Sequence, residues 1–250
     1  MNPVLETIHR RKSTRAYEPR LVPPEVRDEI IRAAMRAPTA GNMMLYSIIE
    51  VQDQGLKDRL VETCDNQPFI AEAPLVLLFL ADYQRWFDYF HHAGVKEHLL
   101  DPGQEILTPQ LGDLILAACD ALIAAQTSVL AAESLGLGSC YIGDILENYE
   151  IHREMFDLPP YALPVALLCF GYPTEEERSR QKTDRFGEEF IHFQDRYRRL
   201  SVDDFEGMFG DKALGEDSPG VRVYRRKYSA GFSIEMRRSV QAMLDGLTGV

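Results

Sequence analysis

Residues 107–135 form one apolar, alanine-rich stretch long enough to cross a bilayer, and any fold the chain adopts must first accommodate it. Asp113, Asp120, Gln126 and Glu133 interrupt it at intervals, a pattern that a lipid-facing helix avoids. The stretch therefore reads as a helix buried in protein. Its alanines, Ala117, Ala118, Ala121, Ala124, Ala125, Ala131 and Ala132, let a second backbone approach closely, as at the centre of a core or at a dimer interface. Gly136 and Gly138 end the helix, and residues 139–142 read as a short strand. Gly136-Leu137-Gly138 resembles part of a dinucleotide fingerprint, but a Rossmann turn needs strand before glycines and helix after. The order here is reversed, and that reading is rejected.

Residues 74–81 (PLVLLFLA) and 163–172 (LPVALLCFGY) are continuous apolar runs of strand length, the signature of strands covered on both faces. Residues 46–52 (YSIIEVQ) are rich in β-branched side chains and predict another strand. Amphipathic helices surround these. The first opens at Asn2-Pro3, runs to Arg10 or Arg11 and carries Val4, Leu5 and Ile8. A second opens at Pro23-Pro24-Glu25, lines up Val26, Ile30, Ile31, Ala34 and Met35, and stops at Pro38. Others cover residues 55–64, 149–156 and 233–245, the last with Gly246 as its stop. Residues 65–68 form a polar turn, while Trp86, Phe87, Tyr89 and Phe90 crowd a helix over 83–90 that is either core or partly open. Arg178, Arg180, Lys182 and Arg185 lie in a charged loop without periodicity. Ser201-x-x-Asp204 resembles a capping box, and residues 210–222 read as a polar linker.

Lys and Arg number 27 against 39 Asp and Glu, and the net charge of −12 disfavours general binding to nucleic acid or to an anionic membrane. Against that background, residues 9–17 (HRRKSTRAY) gather Arg10, Arg11, Lys12 and Arg15 with Ser13 and Thr14 where a helix gives way to coil. This is an anion site or a solvated face. Guanidinium forks suit phosphate, and Ser13 adds a hydroxyl and a backbone N–H in the same turn. Cys64, Cys119, Cys140 and Cys169 lie far apart without CxxC spacing, so buried thiols in a reducing compartment are expected, with neither disulfide nor zinc. No apolar signal region opens the sequence, and the expected location is the cytoplasm.

Four features in this order and spacing resemble the FMN-dependent nitroreductase family: residues 11–15, the Pro38-Thr39-Ala40-Gly41-Asn42 loop, the alanine-rich helix, and residues 136–143 (GLGSCYIG). The likeness spans residues 3–197 and is closest to the oxygen-insensitive nitroreductases and flavin reductases. It implies an α+β fold, with a mixed, mainly antiparallel sheet surrounded by helices, and an intertwined homodimer with FMN at the subunit interface. Residues 1–250 are then one domain with 198–250 as a C-terminal extension. By the resemblance, Arg11 and Ser13 bind the FMN phosphate, Arg15 lies near the ribityl chain and the N1/O2 edge, and Lys12 stands where His or Arg is common. Thr39, Ala40 and Asn42 belong to the loop supplied by the partner subunit, and Gln67 to the residue reading the pyrimidine edge. Tyr141, Ile142 and Gly143 form the turn whose backbone N–H meets N5, and Lys182 and Arg185 resemble the late basic pair at the phosphate. Tyr197 lies where the family tends to have an aromatic. Gly143-Asp144 replaces a common Glu-Gly.

Such a site has no catalytic side chain of its own. The flavin carries the redox chemistry, and the protein holds and orients it. The expected activity is ping-pong hydride transfer from NADPH or NADH to a nitroaromatic, a quinone or a related electrophile. A reductive dehalogenase or flavin-fragmenting enzyme of the same fold, and a non-catalytic flavin or nucleotide sensor, are the alternatives. The 83–92 aromatics are suggested to stack on planar acceptors. Arg225-Arg226-Lys227 meet a nicotinamide 2′-phosphate or form a solvated face.

Overall fold

The structure, a computed structural model, describes residues 2–248. The chain divides into two compact units, Met1–Arg180 with Met236–Val250, and Gln181–Glu235.

The first unit is built on four antiparallel strands, β1 (Tyr46–Glu50), β2 (Leu75–Asp82), β3 (Gly138–Ile142) and β4 (Ala162–Gly171), in the order β1-β2-β4-β3. Every residue of β2 is buried, as its unbroken apolar run requires for a central strand. Successive side chains alternate between two cores. Leu75, Leu77 and Phe79 pack on one face with Ala166, Leu168 and Phe170, while Val76, Leu78 and Leu80 pack on the other with Leu167 and Cys169. The first face is covered by α2 (Pro24–Ala34) and α7 (Leu111–Ser134), the second by α3 (Gln54–Thr63) and α4 (Phe69–Glu72). The α+β arrangement with a mainly antiparallel sheet thus matches the expectation from the resemblance, the one parallel pairing among the described residues being a lone bridge from Ser13 to Ser139.

Around this frame lie α1 (Pro3–Arg10), capped by the Asn2 side chain, α5 (Gln84–His92), α6 (Val95–Leu99), α8 (Tyr149–Met155) and α9 (Glu175–Ser179). The second unit contains α10 (Val202–Phe209), opened by the expected Ser201–Asp204 capping box, and α11 (Pro219–Val223). The last helix, α12, spans Gly231–Thr248.

Several expectations need correction. The charged loop contains α9, because Thr174 caps the Glu177 N–H and three glutamates occupy the first turn. The 210–222 linker contains α11 and a 3₁₀ turn, Gly210–Lys212, and Gly246 lies within α12 rather than ending it. Cys119 is exposed, whereas Cys64, Cys140 and Cys169 are buried free thiols. The long helix is buried along one face only: Ala117, Ala121, Ala124, Ala125 and Val129 are enclosed, but Ile115, Leu116, Leu122 and Ile123 are exposed.

Candidate functional site

Arg11 ends α1, and the chain then runs extended along the ends of β3 and β4. The Thr14 N–H donates to Ser139 O at 2.9 Å, Glu18 N–H to Tyr172 O at 2.8 Å, and Thr174 N–H returns a bond to Ala16 O at 3.2 Å. Two glycines make this contact possible. A Cβ on Gly138 would lie 2.2 Å from Thr14 Oγ1, and one on Gly171 would lie 2.6 Å from Tyr17 Cδ1. Extended backbone sends alternate residues to opposite sides, which separates Arg11, Ser13 and Arg15 from Lys12 and Thr14. Lys12 and Thr14 line a cavity of about 290 Å³ with Arg10, Glu133, Gly138 and Arg178. The Lys12 ammonium donates to Arg178 O at 2.9 Å and to Arg180 O, fastening the end of α9. The Arg180 guanidinium donates in return to Ser13 O and, at 3.0 Å, to Glu177 Oε2.

The other side holds unspent donors. Arg11 Nη1 and Ser139 Oγ are buried without a hydrogen-bond partner, a state that folded proteins rarely leave uncompensated. The Arg15 guanidinium is exposed and makes no hydrogen bond or ion pair among the described residues. Arg11 and Arg15 both act on β3: burial raises the Cys140 thiol against both cations, and pushes the Tyr141 phenol up to about 12 against Arg11. β3 then runs directly from Tyr141 and Ile142 into Gly143. A Cβ on Gly143 would meet nothing within 4 Å, and its φ is not left-handed, so packing within the chain does not call for glycine there. An Arg11 Nη1 buried without a hydrogen-bond partner, and a bare backbone turn at the end of β3, fit a ligand with a phosphate at one end and a flat group at the other.

The 39–45 loop is held by a residue that sequence reasoning did not assign. Asp120, buried on α7, accepts from the Thr39 hydroxyl, from Ala40 N–H at 3.0 Å and from Leu45 N–H at 3.3 Å. The Thr39 oxygen also accepts from Met44 N–H at 2.9 Å, so Thr39 and Ala40 are committed within the chain, while Asn42 stands exposed at φ 58°. From α5, Trp86 Nε1 donates to Met43 O at 2.8 Å and Arg85 Nη1 to Met44 O at 2.9 Å. Across the turn that follows α3, Gln67 Nε2 donates to Asp144 Oδ2 at 2.7 Å, joining Gln67 to the residue after Gly143.

The structure therefore gathers Arg11, Ser13, Arg15, Tyr141, Ile142 and Gly143 along one strand path, links Gln67 to its end, and turns Lys12 toward α9. Lys182 and Arg185 belong to the second unit, where both are exposed and Arg185 Nη1 donates to Thr183 O at 3.3 Å. In that unit Tyr197 is exposed and packs edge-on against Phe193, and Arg225, Arg226 and Lys227 are exposed. Arg180 and Glu133 were also missed. Thr174 followed by Glu177 is the capping signal that marks α9 and hence places Arg180.

The sequence profile of the Nitroreductase family matches residues 8–172. An FMN reductase (NAD(P)H) of Bacillus subtilis is 36% identical over 198 residues, covering 79% of this chain and 75% of that protein. An oxygen-insensitive NADPH nitroreductase of Salmonella typhimurium is 32% identical over 177 residues, covering 70% and 68%. The solved structure of B. megaterium NfrA2 superposes with a TM-score of 0.80 at 28% identity, covering 97% of this chain and 98% of that one.

Proposed function

The chain belongs to the Nitroreductase family, and on that premise we propose that it is an FMN-dependent NAD(P)H oxidoreductase that passes hydride to a nitroaromatic, a quinone or a related planar electrophile. The observation that carries the reading is the Arg11 Nη1, buried without a hydrogen-bond partner at the start of the extended segment. A guanidinium in that state suits a phosphate dianion. Ser13 adds a hydroxyl in the same segment. FMN, when bound, supplies the N5 position that takes hydride from the nicotinamide and gives it up to the second substrate. Arg15, exposed and without a hydrogen bond or ion pair among the described residues, is the cation assigned to stabilising negative charge at the N1/O2 edge. The Gly143 turn, with open space where a Cβ would stand, would offer its backbone N–H to N5. Hydride transfer itself asks for no acid–base pair, and the proton that reduction of a quinone or nitro group also consumes would come from solvent.

The names of the relatives support the cofactor and the donor: one is an FMN reductase using NAD(P)H, another an NADPH nitroreductase. The exposed apolar faces of α1 and α7 favour a homodimer, in which the 39–42 loop of each subunit is proposed to serve the other's flavin. Tyr89 on α5, 56% exposed, offers aromatic surface to a planar acceptor. The dispersed free thiols suit a reducing cytoplasm. Titration of the purified protein with FMN, followed by flavin fluorescence, should saturate, and Arg11→Ala should weaken binding about 10- to 100-fold through loss of a charge-assisted bond. Absence of saturable binding at micromolar flavin would overturn the reading.

A further inference from the structure

The Gln67 amide has one orientation open to it. Its Nε2 lies 2.9 Å from Cys64 O and 2.7 Å from Asp144 Oδ2. Both neighbours only accept hydrogen bonds, so the NH₂ must face them; the reversed amide would set Oε1 against two oxygens. The backbone fixes both ends of this contact. Asp65 and Asn66 take left-handed conformations, φ 57° and 51°, to bring Gln67 out of α3. Asp144 is held in the turn after Gly143, its carbonyl accepting from Glu147 N–H at 3.0 Å. With both Gln67 N–H groups engaged, only Oε1 is left for a ligand, and among the described residues it has no partner.

We infer that Asp144 is a positioning residue that locks Gln67 as a pure acceptor, so that the site selects a ring bearing an N–H between two carbonyls. This rests on the flavin site proposed at Gly143, the residue preceding Asp144. The pyrimidine edge of a flavin offers one donor, N3–H, flanked by two acceptors. An amide free to turn can satisfy either kind of group; this one satisfies the donor alone. An N3-alkylated ring then leaves Oε1 facing a group that cannot donate, and a buried acceptor without a donor is costly.

The experiment compares dissociation constants of the full-length protein for FMN and N3-methyl-FMN, read by flavin fluorescence. The unmodified protein should favour FMN by roughly tenfold or more, the equivalent of one unmet hydrogen bond. Asp144→Ala should lower that ratio severalfold, because the Cys64 carbonyl alone then holds the NH₂ and the amide turns more readily toward the ring carbonyls. Asp144→Asn, whose carbonyl still accepts from Gln67, should preserve most of the preference. Should the alanine variant fail to show a cooperative thermal transition, Asp144→Leu takes its place. An unchanged ratio in Asp144→Ala, or a ratio lost equally in Asp144→Asn, overturns the inference. Gln67→Leu separates this from the reading beneath it: if that variant keeps both FMN affinity and the ratio, Gln67 is not at the ring and its assignment fails. If it loses the ratio while Asp144→Ala retains it, the assignment stands and the lock does not.

Discussion

Glu133 stands in the last turn of α7, 9% exposed, with its backbone carbonyl accepting from Arg10 Nη2 at 3.0 Å. Burial pushes its carboxyl up from 4.5 to about 7, against the pull of Arg11, Arg10 and Lys12; Arg178 lines the same cavity but is ion-paired to Glu18. A carboxyl raised in the folded state binds its proton more tightly there than in the unfolded chain. Its contribution to stability is therefore complete below pH 4.5 and is lost as pH rises through about 7. The net shift, with the cations' pull already in it, corresponds to at most about 3 kcal/mol. Glu133→Gln should remove this slope, and at pH 8 the variant should exceed the parent by about 1 to 3 kcal/mol. Urea denaturation at half-unit steps from pH 4.5 to 8 would measure it, and parallel curves for the two proteins would exclude a titrating Glu133.

At the level of elements, the approach of the 11–18 segment to the sheet depends on what β3 and β4 lack. Gly138→Ala places a methyl 2.2 Å from Thr14 Oγ1 and 2.7 Å from its Cβ, so the segment must withdraw and the bond from Thr14 N–H to Ser139 O must stretch. The expected cost is about 1 to 3 kcal/mol of stability, the range of an overpacked core position, with a parallel loss of FMN affinity. Adding Thr14→Gly should restore part of both, and flavin titration of the pair of variants checks it; no recovery would mean the clash is not the cause. This contact also marks the limit of sequence reading. β2 and β4 were legible because an unbroken apolar run of strand length has few other uses, and α1 because Asn2-Pro3 carries a cap and a first-turn proline together. The cationic segment was legible as chemistry. That it lies against Gly138 was not, since nothing in either stretch encodes a steric match between residues so far apart in the chain. Asp120 escaped for a related reason: one acid in an apolar helix reads as an interruption until the Thr39, Ala40 and Leu45 groups that it satisfies are brought to it. α9 was missed because it buries none of its residues and so has no apolar period to detect.

For the molecule as a whole, the question is what covers the apolar surface left on one copy. Ile115 is 57% exposed, and Leu116, Leu122 and Ile123 are each above 40% along α7; Val4, Leu5 and Ile8 repeat the pattern on α1. A groove of about 320 Å³ lies between α1, α2 and α7, lined by Val4, Ala33, Leu130 and Ala131. Apolar exposure this continuous is characteristic of an interaction surface, and the alanines that α7 spends on the sheet leave its bulky residues for the opposite face. A two-fold pairing through α7 uses the same patch on both subunits, so one substitution acts twice. The protein should sediment at about twice 28.5 kDa at micromolar concentration. Ile123→Glu would then bury two unpaired carboxylates in one interface, a penalty large enough to shift the species to a monomer. Because the 39–42 loop is assigned to the partner's flavin, that monomer should also bind FMN at least tenfold more weakly, the loss of roughly one or two hydrogen bonds. Sedimentation and flavin titration on the same samples decide between two failures: a parent that sediments as a monomer refutes the dimer, whereas a monomeric variant with undiminished FMN affinity shows each subunit to hold its flavin alone.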